Sequence, residues 1–284
     1  MSSLTRLFFC SMATPGYESD KDRLFVYDLA SQQHTDLTPD FDHSASSVIW
    51  KDNSTLYFLS AIKGTQQICK VGTQDAKVEV ITSGDHDIAT MSIAGDKCLT
   101  TLMTISRDKE IYEADLNSGA LTQISNINAH VYDNVKMGEV QKRWIPTTDG
   151  KEMLTWVILP PDFDPTKKYP TLLYCEGGPQ SVVSQGWSYR WNFQLIASQG
   201  YVVVAPNRRG CPSFGSEWRE QISGDYAGQN IQDYLAAIDT VSKEPWCDTD
   251  RLGCVGASYG GYSVYYLAGN HDHRFKAFIS HCGI

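Results

Sequence analysis

Gly256-Ala257-Ser258-Tyr259-Gly260 sets a serine hydroxyl between two glycines in the pattern Gly-x-Ser-x-Gly. A serine that attacks a carbonyl needs its hydroxyl thrust clear of the main chain, at a strained strand-to-helix bend that neighbouring segments approach closely. Gly256 and Gly260 leave room for that approach because they carry no side chain, and Gly261 extends the clearance. The N-terminus of a helix opening at Ser258 favours negative charge, so the backbone N–H of Tyr259 is a candidate donor to a tetrahedral oxyanion. Without a fold around it, the same stretch reads as a Gly-rich turn with a serine cap.

An oxyanion hole takes a second donor, from the loop after an earlier strand. In YCEGGPQS, Gly177 and Gly178 follow directly on an apolar run, residues 171–175, so a backbone N–H at Gly177 can turn inward. The alternative is a plain Gly-Gly-Pro turn. Arg208 and Arg209, in NRRG, follow another apolar run at the active-site edge of the expected sheet, where a substrate contact or a loop anchor would sit. Trp187, Tyr189, Trp191 and Phe193 alternate with polar residues and read as core or interdomain packing, with pocket lining as the alternative. Asp225 and Asp233 read as helix-capping or ion-pair residues.

The elements that position these residues follow from periodicity. Over residues 131–284 buried-strand runs alternate with helical patterns. TLLYC precedes a helix in YRWNFQLIASQG that Gly200 stops, and YVVVAP precedes a helix in NIQDYLAAIDTVSK with Ile231, Leu235, Ile238 and Val241 on one face. RLGCVGA then leads into a helix from Ser258, and FKAFIS follows it. This order predicts a mostly parallel sheet covered by helices. Ahead of it, KRWIPTTDGKEMLTWVILP predicts a hairpin turning at Asp149-Gly150.

The preceding part, residues 1–130, has a different grammar. LFVYDLASQQHTDLTPD, QICKVGTQDAKVEVITSG and EIYEADLNSGALTQISN repeat one design at a spacing of about 44 residues. Each is an alternating strand, a polar turn and a second short strand closing on Leu37-Thr38, Ile81-Thr82 or Ile124-Ser125. Inner strands lie between them, with turns at Asp52-Asn53 and Gly95-Asp96. Four short strands at this period predict β-propeller blades, about three of them. A closed ring takes at least about four blades, and an open one leaves strand edges bare. The expected fold is therefore a partial β-propeller followed by an α/β-hydrolase domain truncated after the nucleophile elbow. Three antiparallel sheets in another closed arrangement are the alternative.

Composition narrows the function classes. The 284 residues, 42% hydrophobic and 20% charged, suit a globular protein of two units. A net charge of -9 without any Lys/Arg cluster argues against nucleic-acid binding. The apolar run at residues 7–10 is too short for a signal-peptide core or a membrane span, so no compartment is assigned. Eight cysteines without a Cys-x-x-Cys pair argue against a zinc site or redox dithiol, and no metal or organic cofactor is expected.

The segments around YCEGGPQS and NRRG, then FGSEWREQISGDYAGQNIQDYLAAID, then RLGCVGASYGGYSVYYLAG, behind propeller-like repeats, resemble the prolyl oligopeptidase family of serine peptidases. Within it the chain is most similar to bacterial dipeptidyl-peptidases related to acylaminoacyl peptidases; the resemblance is specific from about Trp144 and weaker over the repeats. It implies a propeller capping an α/β-hydrolase domain and hydrolysis of short peptides through an acyl-enzyme on Ser258, with Tyr259 and Gly177 as backbone oxyanion donors. An esterase or lipase on the same fold, and a non-enzymatic propeller scaffold, are the rival readings. Many family members carry His or Tyr where this chain has Glu176. An ionised carboxylate only accepts hydrogen bonds and repels an oxyanion, so Glu176 is either a candidate substrate contact or the structural partner of an arginine.

In this fold the triad order is Ser, then Asp or Glu, then His, and the family pattern places both partners well downstream of the serine. His271, Asp272 and His273 lie just past the elbow helix, too close in sequence to reach back over the hydroxyl, and no other ligands cluster there for a metal. His281 ends a strand and reads as core or edge packing. The base and acid are thus expected beyond Ile284, and the isolated chain is expected to turn over negligibly.

Overall fold

The structure, a computed structural model, describes residues 5–95 and 97–284. Strands β1 (Arg6–Ser11), β2 (Arg23–Asp28) and β3 (Gln33–Asp36) form a three-stranded antiparallel sheet. An antiparallel meander follows: β4 (Ser46–Asp52), β5 (Thr55–Ile62), β6 (Thr65–Gly72) and β7 (Val78–Val80). A second comprises β8 (Asp87–Ala94), β9 (Lys97–Thr104), β10 (Arg107–Ala114) and β11 (Leu121–Gln123). The two meanders join through a single parallel register pair, Gln66 with Asp87. Asp96, second residue of the turn expected after Ala94, lies outside the described residues.

The sequence repeat has a hydrogen-bonding cause. The N–H groups of Leu24, Ile68 and Ile111 donate to the hydroxyls of Thr38, Thr82 and Ser125 at 2.9, 2.9 and 2.8 Å. The carbonyls of the same three residues accept from the N–H groups of Leu37, Ile81 and Ile124, each at 2.8 Å. Each sheet runs out of ladder partners at its last short strand, and a hydroxyl side chain satisfies the main-chain donor left over.

A short helix, α1 (Ala129–Tyr132), leads to the second unit. There β12 (Val140–Pro146) and β13 (Glu152–Ile158) form the expected hairpin, with the Gly150 N–H donating to the Thr147 carbonyl at 3.0 Å in its turn. The remaining elements are β14 (Tyr169–Cys175), α2 (Phe193–Ser198), β15 (Val202–Pro206), α3 (Ser216–Glu220), α4 (Gln229–Val241), β16 (Cys247–Ala257), α5 (Tyr259–Gly269) and β17 (Ala277–His281). Six strands make one sheet in the order β12-β13-β15-β14-β16-β17. β13 pairs antiparallel with β12 and β15, and the other pairings are parallel.

Strand alternation divides the core into two layers. Met153, Val157, Leu173, Val202, Val204 and Cys254 pack with α4 and α5. Leu154, Trp156, Ile158, Tyr174, Val203 and Val255 pack with α2 on the other face. The α4 stripe of Ile231, Leu235, Ile238 and Val241 is buried as its spacing requires. Helix α2 is shorter than its sequence window, because the Asn192 side chain caps it by accepting from the Leu195 N–H at 2.8 Å. Helices α1 and α3 were not expected; at four and five residues they are too short to register a helical period.

Polar contacts tie the two units together. The Gly64 N–H donates to the Ser213 hydroxyl at 2.7 Å, and the Lys63 N–H to the Ser213 carbonyl at 2.8 Å. Buried Asp87 accepts from the Gln66 N–H of its own unit at 3.0 Å and from the Ser184 hydroxyl and Gln185 N–H of the other. Burial raises the Asp87 pKa above the ordinary carboxylate value, against the lowering effect of those donors. The folded protein therefore keeps a proton that the unfolded chain releases from about pH 4 upward, and stability from this group falls as pH rises toward the folded pKa. Asp87→Asn removes that slope: melting curves of wild type and variant, compared from about pH 4 to pH 7, converge or cross in the wild type's disfavour as pH rises. Parallel curves would contradict this assignment.

Candidate active site

Ser258 stands between the last residue of β16 and the first of α5, at φ 56° and ψ -124°. A non-glycine residue held at such a backbone position costs about 1–3 kcal/mol. Flanking bonds enforce it: the Ser258 N–H donates to the His281 carbonyl on β17, and the Ser258 carbonyl accepts from the Tyr262 N–H, both at 3.0 Å. The serine is exposed, whereas Tyr259 beside it is buried. As the first residue of α5, Tyr259 has an N–H with no acceptor inside the helix.

The glycines are required by the packing of α5 on β14. A Cβ on Gly260 would lie 2.1 Å from the Cys175 carbonyl oxygen, and one on Gly256 would lie 2.7 Å from the same atom. A Cβ on Gly261 would lie 2.7 Å from the Gly283 Cα. This close approach also brings the loop after β14 to the serine. A Cβ on Gly177 would stand 3.0 Å from the Ala257 carbonyl oxygen and 3.8 Å from the Ser258 Cβ.

The turn after β15 holds that loop. Asn207 pairs with the main chain of Val183 in both directions, accepting its N–H at 2.9 Å and donating to its carbonyl at 3.0 Å. Arg208 is fully buried, which removes it as a candidate substrate contact: its guanidinium is occupied by the protein's own carbonyls. Its Nη2 donates to the Glu176 and Gly177 carbonyls at 3.1 and 3.2 Å, and its Nη1 to those of Pro179 and Arg209 at 2.8 and 2.9 Å. Its Nε donates to the Tyr234 hydroxyl at 3.2 Å, and that hydroxyl donates to the Glu176 carbonyl at 3.3 Å.

Arg209, also fully buried, faces the other way. Its Nη2 donates to both carboxylate oxygens of Asp149 in the hairpin turn at 2.6 and 2.5 Å, its Nη1 pairs with buried Asp233 of α4, and the guanidinium stacks 4.4 Å from the Trp218 ring centre. Asp233 is thus the expected ion-pair residue, and Asp225 accepts from the Gln229 N–H at 3.4 Å at the start of α4.

Glu176 is half-buried and forms no ion pair with a described residue; Arg208 meets its main chain and not its carboxylate. Burial raises its pKa, offset in part by the Ser181 and Tyr174 hydroxyls and the Arg208 charge. Trp191 and Phe193 pack against Tyr174, whereas Trp187 and Tyr189 help line a cavity of about 420 Å³ that includes neither Ser258 nor Gly177. His271 accepts from the Phe275 N–H at 3.1 Å, Asp272 pairs with Arg274, and the His281 ring packs on Trp191. Among the described residues no three His, Cys, Asp or Glu side chains group to hold a metal, and no helix is long and apolar enough to cross a membrane. The eight cysteines are free, and buried Cys175 and Cys254 lie with sulfurs 3.6 Å apart beneath the elbow.

Asn207 and Tyr234 escaped the sequence reading. Tyr234 had a signal, since a tyrosine on the apolar stripe of α4 needs a buried partner for its hydroxyl. Asn207 sits between a strand and two arginines and offers no comparable periodicity.

A helix-covered, mostly parallel sheet with a serine at positive φ between strand and helix defines an α/β-hydrolase fold. Residues 187–284 match the model of the prolyl oligopeptidase family. It is 49% identical over 275 residues to dipeptidyl-peptidase 5 of Porphyromonas gingivalis, covering 96% of this chain and 40% of that protein. Dipeptidyl-peptidase 5 of Porphyromonas endodontalis is 43% identical over 277 residues, covering 97% of this chain and 40% of that protein. The solved acylaminoacyl peptidase of Pyrococcus horikoshii superposes with a TM-score of 0.87 at 26% identity, over 99% of this chain and 43% of that one. The chain spans about two fifths of the length of the curated relatives it matches.

Proposed function

We propose that this chain is part of a serine exopeptidase of the dipeptidyl-peptidase kind. The observation that carries the proposal is an exposed Ser258 held at φ 56° at the head of α5, against the Gly177 loop. In this mechanism Ser258 Oγ attacks the scissile carbonyl while its proton passes to a histidine imidazole. The N–H groups of Tyr259 and Gly177 receive the oxyanion. Collapse of the tetrahedral adduct breaks the C–N bond, the leaving amine takes the proton, and water then cleaves the acyl ester. The histidine and its carboxylate partner belong, in this reading, to the part of the relatives' length that the chain does not span.

The antiparallel sheets of residues 1–130 are read as successive propeller blades beside a peptidase unit of residues 131–284. Large apolar side chains exposed in the first sheet (Leu7, Phe8, Phe9) and in the last (Leu99, Ile111, Ile124) support this, as surfaces a neighbouring blade would cover.

The test is turnover of dipeptide amides by the complete protein. A free α-amine paired with an acidic group is worth about 10- to 100-fold in rate over the N-acetylated amide. Preference for the acetylated amide would move the assignment to the acylaminoacyl type, and turnover of esters alone would move it to an esterase.

A further inference from the structure

We propose that Arg208 is a positioning residue for the oxyanion hole, acting through the Glu176–Gly177 peptide; the assignment rests on Ser258 as the nucleophile. Arg208 is buried, and no described carboxylate pairs with it. Its neighbour Arg209 is fully buried too and has two such partners. A structural arginine has no need to remain a lone cation under a catalytic loop, because burying an unpaired charge is costly unless its donors are all satisfied. Here they are satisfied by the Tyr234 hydroxyl and by main-chain carbonyls, and three of these carbonyls, those of Glu176, Gly177 and Pro179, belong to the loop that faces Ser258.

The geometry transmits this hold to the reacting side. The Glu176 carbonyl is clamped twice, by Arg208 Nη2 at 3.1 Å and by the Tyr234 hydroxyl at 3.3 Å. The peptide between Glu176 and Gly177 is trans and planar, so its N–H points opposite to its C=O. With the carbonyl turned inward to the guanidinium, the Gly177 N–H is turned away from it, on a residue packed against Ala257 and the Ser258 Cβ. The cation on the oxygen also polarises the peptide and strengthens the N–H as a donor. On the other wall of the hole, the Arg208 charge lies 4.9 Å from the ring centre of Tyr259, the residue that supplies the second donor. One guanidinium thus holds the Gly177 peptide and lies against the side chain of the residue that supplies the other donor, and a lysine ammonium does not reproduce its planar fork.

The experiment compares Arg208→Met, Arg208→Lys, Tyr234→Phe and Ser258→Ala in the complete protein. Readouts are kcat and KM for a dipeptide amide, and the affinity of a dipeptide boronic acid, which forms a tetrahedral adduct on the serine. Loss of one oxyanion donor predicts about a 100-fold fall in kcat for Arg208→Met, with KM within about threefold and boronate affinity falling in parallel with kcat/KM. Arg208→Lys, which keeps the charge and loses the fork, recovers about tenfold of that loss. Should Arg208→Met not fold, Tyr234→Phe carries the test, with kcat down about 3- to 10-fold and boronate affinity in step. Wild-type kcat in a folded Arg208→Met, or in Tyr234→Phe where that variant carries the test, overturns the proposal, as does a loss confined to KM. When Ser258→Ala is inactive, such a result counts against Arg208 alone; an active Ser258→Ala overturns the nucleophile and Arg208 together.

Discussion

Ser258→Ala lowers kcat/KM of the complete protein for dipeptide amides by on the order of 10⁵-fold, with little change in melting temperature. Deleting the nucleophile leaves only binding and oxyanion terms, which accelerate amide hydrolysis far less than the covalent route. The fold is spared because alanine retains the Cβ and the same strained φ, and the lost oxygen is on an exposed residue. Ser258→Gly separates the two roles further. Glycine populates φ of 56° freely, so relief of about 1–3 kcal/mol of strain, reduced by its greater freedom when unfolded, leaves a net gain of about 1 kcal/mol. A serine-directed fluorophosphonate that still labels Ser258→Ala, or a Ser258→Gly protein less stable than wild type, would count against this account of the bend.

At the elbow, a large loss of stability is expected from Gly260→Ala. The new Cβ would lie 2.1 Å from the Cys175 carbonyl oxygen, 2.9 Å from its carbon and 3.2 Å from the Glu176 carbonyl carbon. These are main-chain atoms of β14 and its following residue, so no side chain can swing aside; the helix and strand must separate. Overpacking of this kind costs about 3 kcal/mol or more. It also pulls Gly177 away from Ser258, so residual folded protein loses turnover as well. Gly269→Ala, near the other end of α5, is the control, since nothing lies within 4 Å of its added Cβ. There alanine gains up to about 1 kcal/mol of helix propensity. Denaturant unfolding of both variants reads the difference directly, and a Gly260→Ala protein within about 1 kcal/mol of wild type would contradict the close approach.

Much of the architecture was legible in the sequence because its causes are local. The Thr38, Thr82 and Ser125 hydroxyls recur since each sheet ends with the same unsatisfied donor, and a recurring local need leaves a recurring residue. The glycines around Ser258 are legible for a similar reason: crowding at a strand-to-helix bend, where an added Cβ at Gly256 or Gly260 would meet the Cys175 carbonyl, excludes side chains at set offsets. Short helices without a full period, α1 and α3, left no such trace.

The residues of the candidate site divide along the same line. Pattern and spacing determined Ser258, its flanking glycines and the Gly177 loop, because the bend and its clearance are properties of a few consecutive residues. Only the tertiary structure decided that Arg208 turns to three loop carbonyls while Arg209 turns to Asp149 and Asp233. Adjacent arginines look identical in a sequence. What separates them is which distant element, the β14 loop, the hairpin turn or α4, the folded sheet brings against each guanidinium.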